Sequence, residues 1–466
     1  MKALNTTERA SAHGLTRRRF LAWSAATATA SIGGPSVIPS SALGRDGAAA
    51  PSERITVGMI GVGRQVCAYN LRRFAGQPDC QVVALCDVDR WRLDVTDERV
   101  ASFYGAKRKI ENFGNPDRYT DFRELLARAD IDAVVISTPD HWHVPMAVMA
   151  AQAGKDVALE KPITRTIPEG RLLVEAIRKH NRVFRMDSEF RSISAFHRAC
   201  ELVRNGRIGR IKRIVSGVPK SDTSSPTVTE VPVPKDLDYD LWLGPAPRKP
   251  YCEARVHENR GYERPGWMRI SDYCDGMILN WGAHLNDIVQ WGNNSEHTCP
   301  VEVEAVFCDR SPNGQGLWDV LGDFEVHYRY ADGVELAYKS DSPYVRFEGE
   351  EGWVQAHFGR RGIEAEPASI LDSQIKPNEL HLPLMTEERD FLDCVRSRKK
   401  TLENEEVAHR TTSLCHLGLI ALRVGNGMRL HWDPEAERFT NSNEANQHLV
   451  LPSARDPWSY DRILNS

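Results

Sequence analysis

Short apolar runs alternate with helical patterns in the part of the chain that follows residue 50. The runs are rich in β-branched residues and lie at positions 55–60, 81–86, 133–137 and 156–159. Continuous apolar runs of this length are typical of strands that are buried on both faces of a sheet. Since the stretches between them have helical spacing, the pattern predicts a doubly wound parallel sheet.

Beyond about residue 166 the pattern changes. Helices and strands are predicted in turn at positions 169–179, 182–186, 196–205 and 210–218. Alternating apolar and polar positions predict further strands at 301–307, 322–330, 334–340 and 352–357. The Asp332-Gly333 pair is a hairpin turn signal, and the proline-rich stretch 223–250 predicts a long excursion. The pattern therefore predicts a second α/β domain built on a mostly antiparallel sheet.

The composition is that of a folded protein with an acidic body. The chain has 466 residues, 41% of them hydrophobic, and a net charge of -4. The first fifty residues hold six basic and two acidic side chains, so the remainder carries a charge of -8. An acidic body binds a phosphate backbone poorly, so we expect no nucleic acid partner. Beyond residue 50 no apolar run reaches the roughly 20 residues of a membrane span, so we expect no stable membrane insertion.

The first fifty residues form a leader. Positions 16–21 read Thr-Arg-Arg-Arg-Phe-Leu and resemble a twin-arginine export signal. The resemblance implies that the protein folds in the cytoplasm, passes through the twin-arginine export machinery and works in the periplasm. A chain that folds in a reducing compartment cannot depend on disulfides. We therefore predict that most of the ten cysteines, none of them in a Cys-x-x-Cys pair, are small buried hydrophobes.

The first predicted strand leads into a glycine turn that opens a helix. Gly61 permits the tight turn, and Gly63 lets a pyrophosphate approach the backbone at the helix N-terminus. The next strand ends at Asp87, which is placed to bind ribose hydroxyls and to repel a 2′-phosphate. We expect Val66, in place of a third glycine, to push helix and strand slightly apart. The turn predicts a dinucleotide site, with NAD favoured over NADP, formed by Gly61, Gly63, Arg64, Gln65, Val66 and Asp87.

Two motifs at later strand ends carry a family resemblance. Positions 138–143 read Thr-Pro-Asp-His-Trp-His, and Glu160-Lys161-Pro162 follows the fourth strand. With the glycine turn, they resemble the glucose–fructose oxidoreductase / inositol dehydrogenase / rhizopine-catabolism (Gfo/Idh/MocA) family. The resemblance implies a Rossmann domain at 51–170, after a leader at 1–50. It also implies an open-faced α/β domain at 171–466 that binds substrate and supports a homodimer or homotetramer.

Ligands of doubly wound sheets bind beyond the carboxyl ends of the strands. This rule adds further cofactor-binding candidates: Thr138, Pro139, His141, Glu160 and Lys161. The resemblance adds His143 to them. The resemblance implies that Lys161 contacts the reacting hydroxyl beside the nicotinamide, where an ammonium stabilises negative charge on oxygen. It also places His143 near the cofactor edge, whereas His141 either lines the substrate pocket or is packed and hydrogen-bonded. The two histidines have no third ligand at metal spacing, so we expect no metal.

The stretch at 272–287 is rich in polar side chains. Read as a helix from about Met277, it places Asn280, His284 and Asp287 on one face. The resemblance implies that His284 takes the hydroxyl proton as hydride departs. Asn280 replaces the family's Asp and cannot stabilise the imidazolium of His284 by charge, so we expect His284 to be a weaker base. We count Asn280 among the catalytic residues. Candidates for substrate binding are Arg191, Arg269, Asp272, Tyr273, Trp281 and Asp287, and Trp242 and Trp267 either stack on a sugar or anchor the core.

The export signal and the cofactor site together constrain the function. Free NAD is scarce outside the cytoplasm, so we predict a nucleotide that binds before export, stays bound and is recycled within each cycle. This favours an NAD(P)-dependent oxidoreductase that acts on a hydroxyl of a sugar, glycoside or cyclitol. One alternative is a redox-neutral glycosidase, lyase or epimerase working through a transient keto sugar, which Asn280 favours. Another is a sugar-binding protein without turnover.

Overall fold

A computed structural model of the chain describes residues 50–108, 115–309 and 316–465. The predicted export signal at 16–21 lies outside these ranges. The chain divides into two units, Met1–Glu53 and Arg54–Ser466. In the first unit the described part consists of Ala50 and a short 3-10 turn, Pro51–Glu53. The second unit contains both of the sheets that follow.

The first sheet is parallel throughout. Its strands are β1 (Ile55–Ile60), β2 (Cys80–Cys86), β3 (Asp117–Tyr119), β4 (Ala133–Ile136), β5 (Asp156–Glu160) and β6 (Phe184–Asp187). They lie in the order β3-β2-β1-β4-β5-β6, so the strand order reverses between β1 and β4, where doubly wound sheets bind ligands. The predicted doubly wound parallel sheet is confirmed, and it takes its sixth strand from beyond residue 170.

Helices bury both faces of this sheet. A π-type turn, Val66–Asn70, continues as α1 (Leu71–Gly76), and the helices that follow are α2 (Arg90–Arg108), α3 (Phe122–Leu126), α4 (His143–Gln152) and α5 (Ile167–Lys179). On β4, Val135 packs in one core with residues of α1 and α2. Its neighbours Val134 and Ile136 pack in another core with residues of α3 and α4. Burial on both faces is the physical reason for the continuous apolar runs in the sequence.

The second sheet has nine strands. They are β7 (Ile211–Val218), β8 (Glu302–Asp309), β9 (Asp323–Arg329), β10 (Glu335–Ser340), β11 (Tyr344–Gly349), β12 (Trp353–His357), β13 (Ile363–Glu366), β14 (Arg429–Asp433) and β15 (Arg438–Phe439). Their order is β13-β12-β11-β7-β10-β9-β8-β14-β15. Neighbours pair antiparallel except for β7 and β10, which are parallel, so the predicted mostly antiparallel sheet is confirmed.

One face of the second sheet packs on helices, and the other is polar. The remaining helices are α6 (Ser194–Arg204), α7 (Tyr239–Leu243), α8 (Met277–Asn280), α9 (Gly282–Gly292), α10 (Glu387–Ser397), α11 (Glu405–Val424), α12 (Asn443–Asn446) and α13 (Tyr460–Leu464). On β9, Phe324, Val326 and Tyr328 are buried, whereas the alternate residues are partly or fully exposed. The helix predicted from Met277 is interrupted at Trp281, which separates α8 from α9.

A long connecting segment, residues 219–276, joins β7 to α8. Besides α7 it contains a 3-10 turn, Gly266–Arg269, and it meets the loop that follows β2 through an isolated bridge between Asp89 and Leu237. In the described ranges no helix combines the length and apolarity that crossing a bilayer requires. All ten cysteines are free thiols, and all but Cys67 and Cys308 are buried.

Candidate active site

A cleft of about 440 Å³ opens at the carboxyl ends of β1, β2, β4 and β5. From the first sheet it is lined by the predicted residues Gly61, Gly63, Arg64, Gln65, Asp87, Thr138, Pro139, Glu160 and Lys161. Residues distant in sequence complete the wall, among them Trp242, Trp267, Asn280, Trp281 and His284. The fold thus brings the predicted cofactor motifs and the predicted proton acceptor to one cavity.

The glycine turn has the shape that a phosphate group requires. Gly61 has a φ of +83°, and a Cβ there would lie 2.8 Å from the main chain of Ser137. A Cβ on Gly63 would meet a single atom within 4 Å, Nη1 of Arg92 at 4.0 Å, so this stretch of backbone is open. An open main chain at the start of a helix fits the pyrophosphate of a dinucleotide. Val66 is fully buried in the core and does not line the cleft.

Asp87 lies at the end of β2 and lines the cleft. Its Oδ1 accepts the main-chain N–H of Asp89 at 2.9 Å. Burial raises the pKa of Asp87 to about 6, and the charge of Arg92 opposes the rise. The carboxylate is therefore ionised at neutral pH and available to accept hydrogen bonds from ribose hydroxyls.

Lys161 and Glu160 follow one another at the end of β5. Lys161 lines the cleft and makes neither a hydrogen bond nor an ion pair with any described residue. Glu160 accepts a hydrogen bond from Nδ2 of Asn70 at 2.9 Å. Burial and the nearby Glu189 raise the pKa of Glu160 to about 7, against the opposing charge of Lys161. The strand end thus presents a lysine without a hydrogen bond or ion pair among the described residues, next to a carboxyl group whose pKa lies near neutrality.

His284 is held in one orientation. Its Nδ1 is hydrogen-bonded to the carbonyl oxygen of Ser188, and its ring stacks on Phe190 with 4.5 Å between centroids. Because a carbonyl only accepts, Nδ1 carries the proton, and Nε2 of the neutral ring is an acceptor. Burial, followed by the positive charge of Lys161, lowers the pKa of His284 well below its usual range. The imidazole is therefore neutral at physiological pH, and Lys161 lies within electrostatic reach of it.

Aromatic side chains form one wall of the cleft. Phe358 stacks on Phe190 at 5.1 Å and meets Trp281 edge to face at 5.4 Å. Trp267, from the connecting segment, also lines the cavity. Such rings provide a flat apolar surface for the C–H face of a sugar. Asn280, at the end of α8, adds an amide that can hydrogen-bond a hydroxyl.

The two histidines of the 138–143 motif are packed below the surface of the cleft. The ring nitrogens of His143 lie 2.7 and 2.9 Å from the carbonyl oxygens of Pro162 and Thr138, and burial lowers the pKa of His143 to about 4. Nε2 of His141 lies 3.2 Å from the carbonyl oxygen of Trp242, and burial lowers its pKa to about 3. The structure thus shows His141 in the packed, hydrogen-bonded arrangement, while His143 links the two motifs.

Several predicted substrate-binding residues do not line the cleft. Arg191 and Asp287 form a buried pair, with Nε to Oδ2 at 2.7 Å and Nη2 to Oδ1 at 2.6 Å. Asp287 also accepts the hydroxyl of Ser188 at 3.1 Å, so this pair supports the residue that orients His284. A charged residue near a strand end looks the same in the sequence whether its side chain faces a ligand or a buried partner. The sequence therefore could not distinguish a substrate-binding Arg191 from one in a buried ion pair.

The other substrate candidates outside the cleft are also engaged within the fold. Arg269 lies over the ring of Trp318, 4.3 Å from its centroid. The main-chain oxygen of Asp272 accepts a hydrogen bond from Arg165 at 2.7 Å, and Tyr273 is fully buried. Among the described residues, no group of three or more His, Cys, Asp or Glu side chains is arranged to hold a metal ion.

Two family models match the chain, one for each sheet. The model for the NAD-binding Rossmann fold of the Gfo/Idh/MocA oxidoreductase family matches residues 55–188, and the model for its C-terminal alpha/beta domain matches residues 222–460. The chain belongs to the Gfo/Idh/MocA oxidoreductase family. The first model includes the glycine turn, Lys161 and Ser188, and the second includes Asn280 and His284.

Curated relatives of this Gfo/Idh/MocA chain match it over part of their length. Glycosyl hydrolase family 109 protein 1 of Shewanella sp. (strain MR-4) is 34% identical over an alignment of 178 positions, which covers 35% of this chain and 37% of the relative. A glycosyl hydrolase family 109 protein of Shewanella pealeana is 34% identical over 117 residues, 25% of each chain. The chain thus matches about a third or less of the length of these relatives.

Solved structures share the fold over most of the chain. The aldose-aldose oxidoreductase of Caulobacter crescentus, complexed with glycerol, has a TM-score of 0.57 at 18% identity and covers 81% of this chain and 99% of its own. The WlbA dehydrogenase of Bordetella pertussis, in complex with NADH and UDP-GlcNAcA, has a TM-score of 0.58 at 17% identity and covers 82% and 99%. At these identities the similarity shows a common fold.

Sequence reasoning missed several side chains of this Gfo/Idh/MocA cleft. Glu189 and Phe190 line it just after β6. Because ligands bind beyond the carboxyl ends of the strands, the sequence could have indicated both residues. Asp140 also lines the cleft; burial raises its pKa to about 7, and its Oδ2 has no hydrogen-bond partner among the described residues. Arg264 and Phe358 reach the cavity from the connecting segment and from the end of β12. No local pattern marks these two, because only the chain's long-range packing brings them there.

Proposed function

We propose that this protein oxidises a hydroxyl of a sugar, glycoside or cyclitol, using a dinucleotide that stays bound and is recycled within each cycle. One observation carries the proposal: Lys161 and His284, more than a hundred residues apart in sequence, line one cleft with an open phosphate-binding turn. Two structural neighbours, an aldose-aldose oxidoreductase and a dehydrogenase complexed with a nucleotide sugar, support a carbohydrate substrate.

The residues that would hold the dinucleotide belong to the first sheet. The turn at Gly61 and Gly63 would receive the pyrophosphate, and Asp87 would accept the ribose hydroxyls. We favour NAD over NADP because a 2′-phosphate would meet the ionised Asp87 carboxylate. When bound, the nicotinamide supplies the acceptor for a hydride from the substrate carbon.

The chain's own residues then handle the proton and the developing charge. Nε2 of His284 is the unprotonated nitrogen, so it accepts the proton when the substrate O–H bond breaks. The ammonium of Lys161 stabilises the negative charge that develops on the same oxygen. The low pKa of His284 keeps the base form populated but makes it a weak base, and Asn280 supplies no negative charge to offset this. The aromatic wall orients the sugar and keeps water away from the reacting carbon.

Redox-neutral glycoside processing is the second candidate. It is favoured by the glycosyl hydrolase family 109 relatives and by Asn280 in the family's Asp position. In this scheme oxidation of a hydroxyl acidifies the neighbouring C–H bond, the leaving group departs by elimination, and the hydride returns after water has added. Glu160 and Asp140 each have a pKa raised to about 7 and line the cleft, so either group can exchange protons at neutral pH.

We also propose that the chain is exported already folded and loaded with nucleotide, as a homodimer or homotetramer. The twin-arginine pattern at 16–21 supports the export route, whereas the homo-oligomer is an expectation from the family resemblance. Replacing both Arg17 and Arg18 by Lys should keep the protein, with its nucleotide, in the cytoplasm. Recovery of the variant from the periplasm would contradict this route.

The proposed function is tested by a screen of sugars and glycosides in heavy water, run with and without added NAD. Net oxidation yields a keto product or lactone together with an equal amount of reduced nucleotide or reduced second sugar. The redox-neutral route releases the leaving group without net absorbance change at 340 nm and incorporates solvent deuterium beside the oxidised carbon. A loaded protein that binds sugars yet converts none would contradict both schemes and leave a binding protein.

A further inference from the structure

Main-chain hydrogen bonds join the connecting segment to the loop that follows β2. The main-chain N–H of Asp238 donates to the carbonyl oxygen of Val88, and the N–H of Arg90 donates to that of Asp236, both at 2.9 Å. Asp87, the proposed ribose ligand, begins this loop. These bonds therefore fix the connecting segment next to the adenosine end of the cleft.

Side chains extend the attachment toward the cavity. Nη2 of Arg92 donates to the carbonyl oxygen of Gly261 at 2.9 Å, and the guanidinium lies 4.9 Å from the centroid of the Tyr262 ring. Nε2 of His257 lies 3.0 Å from Oδ2 of Asp89. Arg92 and His257 both line the cleft. The segment is thus part of the cavity wall.

Beyond Tyr262 the segment brings Arg264 to the cleft. Arg264 lines the cleft, and its Nη2 donates a hydrogen bond to Sδ of Met277 at 3.1 Å. A thioether is a weak acceptor. Arg64, which follows Gly63 in the phosphate turn, also lines the cleft and has neither an ion pair nor a hydrogen bond within the described part of the chain.

The positive charges in this part of the cleft repel one another. Burial, and then the charges of Arg269 and Arg64, lower the pKa of Arg264. Arg269 has a carboxylate partner in Asp222, with Nε and Oδ2 3.5 Å apart. Glu263, next to Arg264, forms no ion pair with Arg264 or Arg64. An anion between these two guanidiniums would relieve the repulsion, and the guanidinium fork suits phosphate oxygens.

We propose that Arg264 and Arg64 bind the pyrophosphate of the dinucleotide from two walls of the cleft, and that the connecting segment thereby retains the nucleotide during turnover. The open backbone of Gly63, directly before Arg64, places the phosphate site beside this pair. This inference rests on the proposed function, which requires a bound dinucleotide, and it adds the contacts that keep the dinucleotide bound. An acidic group on the sugar offers the same anionic chemistry, and the experiment separates the two sources.

The test compares Arg264→Gln with Arg260→Gln. Arg260 lies on the same segment, is 64% exposed and pairs with Asp236 at 3.1 Å, so this control removes the same charge away from the cleft. Affinities for NAD and for ADP-ribose, which has the pyrophosphate but no nicotinamide, are measured by calorimetry on nucleotide-free protein. We expect Arg264→Gln to weaken both by a similar factor, roughly 10- to 100-fold, and to lose nucleotide on gel filtration. Arg260→Gln should behave as wild type, and equal melting temperatures of the nucleotide-free proteins exclude misfolding.

Two results would overturn the inference. If Arg264→Gln binds both nucleotides normally and instead raises KM for an acidic sugar, the anion belongs to the substrate. If NAD alone is weakened, the contact is not with the pyrophosphate. A wild-type protein that retains nucleotide through Arg264 but oxidises no sugar would leave the inference standing while the proposed function fails.

Discussion

The carbonyl oxygen of Ser188 accepts a hydrogen bond from Nδ1 of His284, across 96 positions of sequence. Ser188 follows β6 of the first sheet, whereas His284 lies on α9 beneath the second. The proposed base is thus oriented by the same sheet that carries Lys161. Its tautomer is fixed as well, because a carbonyl can only accept.

The first prediction concerns the proton acceptor. Replacing His284 by Ala should lower kcat by about 10²- to 10⁴-fold, the usual contribution of a positioned general base. Nucleotide content should not change, since the glycine turn and Asp87 remain. Steady-state kinetics and the absorbance of bound nucleotide check both points, with His327→Ala, a half-exposed histidine of β9, as control. Full turnover in His284→Ala would assign the proton to another group.

The second prediction concerns the ionisation of His284. Its folded pKa is lowered by burial and by Lys161, so the ring should stay neutral as pH falls through 6.5 and protonate only well below that value. Replacing Asn280 by Asp adds a negative charge to the same cleft and should shift this titration to higher pH. Histidine chemical shifts followed by NMR report the shift, with the exposed Asn294→Asp as control. A wild-type His284 that titrates near 6.5 would contradict the electrostatics of the site.

The third prediction concerns Lys161. Its removal in Lys161→Ala should lower kcat by about 10²- to 10³-fold, as loss of one oxyanion-stabilising group does, with a smaller effect in Lys161→Arg. Because Lys161 makes no ion pair with a described residue, the melting temperature should hardly change. Lys212→Ala, at a position 60% exposed, is the matched control. A rise in KM with unchanged kcat would mean that Lys161 binds substrate without stabilising the transition state.

The fourth prediction separates structure from substrate binding at Arg191. Removing one partner of a buried ion pair costs about 3–5 kcal/mol, so Arg191→Ala should strongly lower the free energy of unfolding and leave the substrate KM close to wild type. Arg210→Ala, at a position 78% exposed, should cost at most about 1 kcal/mol. Unfolding by denaturant and steady-state kinetics measure the two effects. A stable Arg191→Ala enzyme with a raised KM would restore Arg191 as a substrate ligand.

Much of the first sheet is readable from the sequence because its strands are buried on both faces. A run such as residues 133–136 lacks the polar alternation of a half-exposed strand, and its shortness and β-branched residues separate it from a buried helix. Its carboxyl end faces the ligand site. The rule that ligands bind beyond the carboxyl ends of parallel strands predicted the positions of Lys161 and Glu160 in the site. It also selected His141, which is packed below the cleft, since a strand end supports the loops of a site as well as the ligand itself.

The connecting segment shows what a single sequence leaves undetermined. Its proline and polar residues predict an irregular path, but not the surface on which that path lies. The bond from Arg92 to Gly261 spans 169 positions, so no local spacing indicates it. The pairing of Arg191 with Asp287 is equally non-local, and the charge of either residue alone does not show whether it faces a ligand or a buried partner.

The resident nucleotide is the central claim, and it is tested by denaturing protein purified without added cofactor and quantifying what is released by chromatography. We expect about one equivalent of NAD or NADH per chain, retained through gel filtration, and turnover that needs no added nucleotide. An empty protein that reduces added NAD in proportion to the sugar oxidised would contradict it and identify an ordinary dehydrogenase.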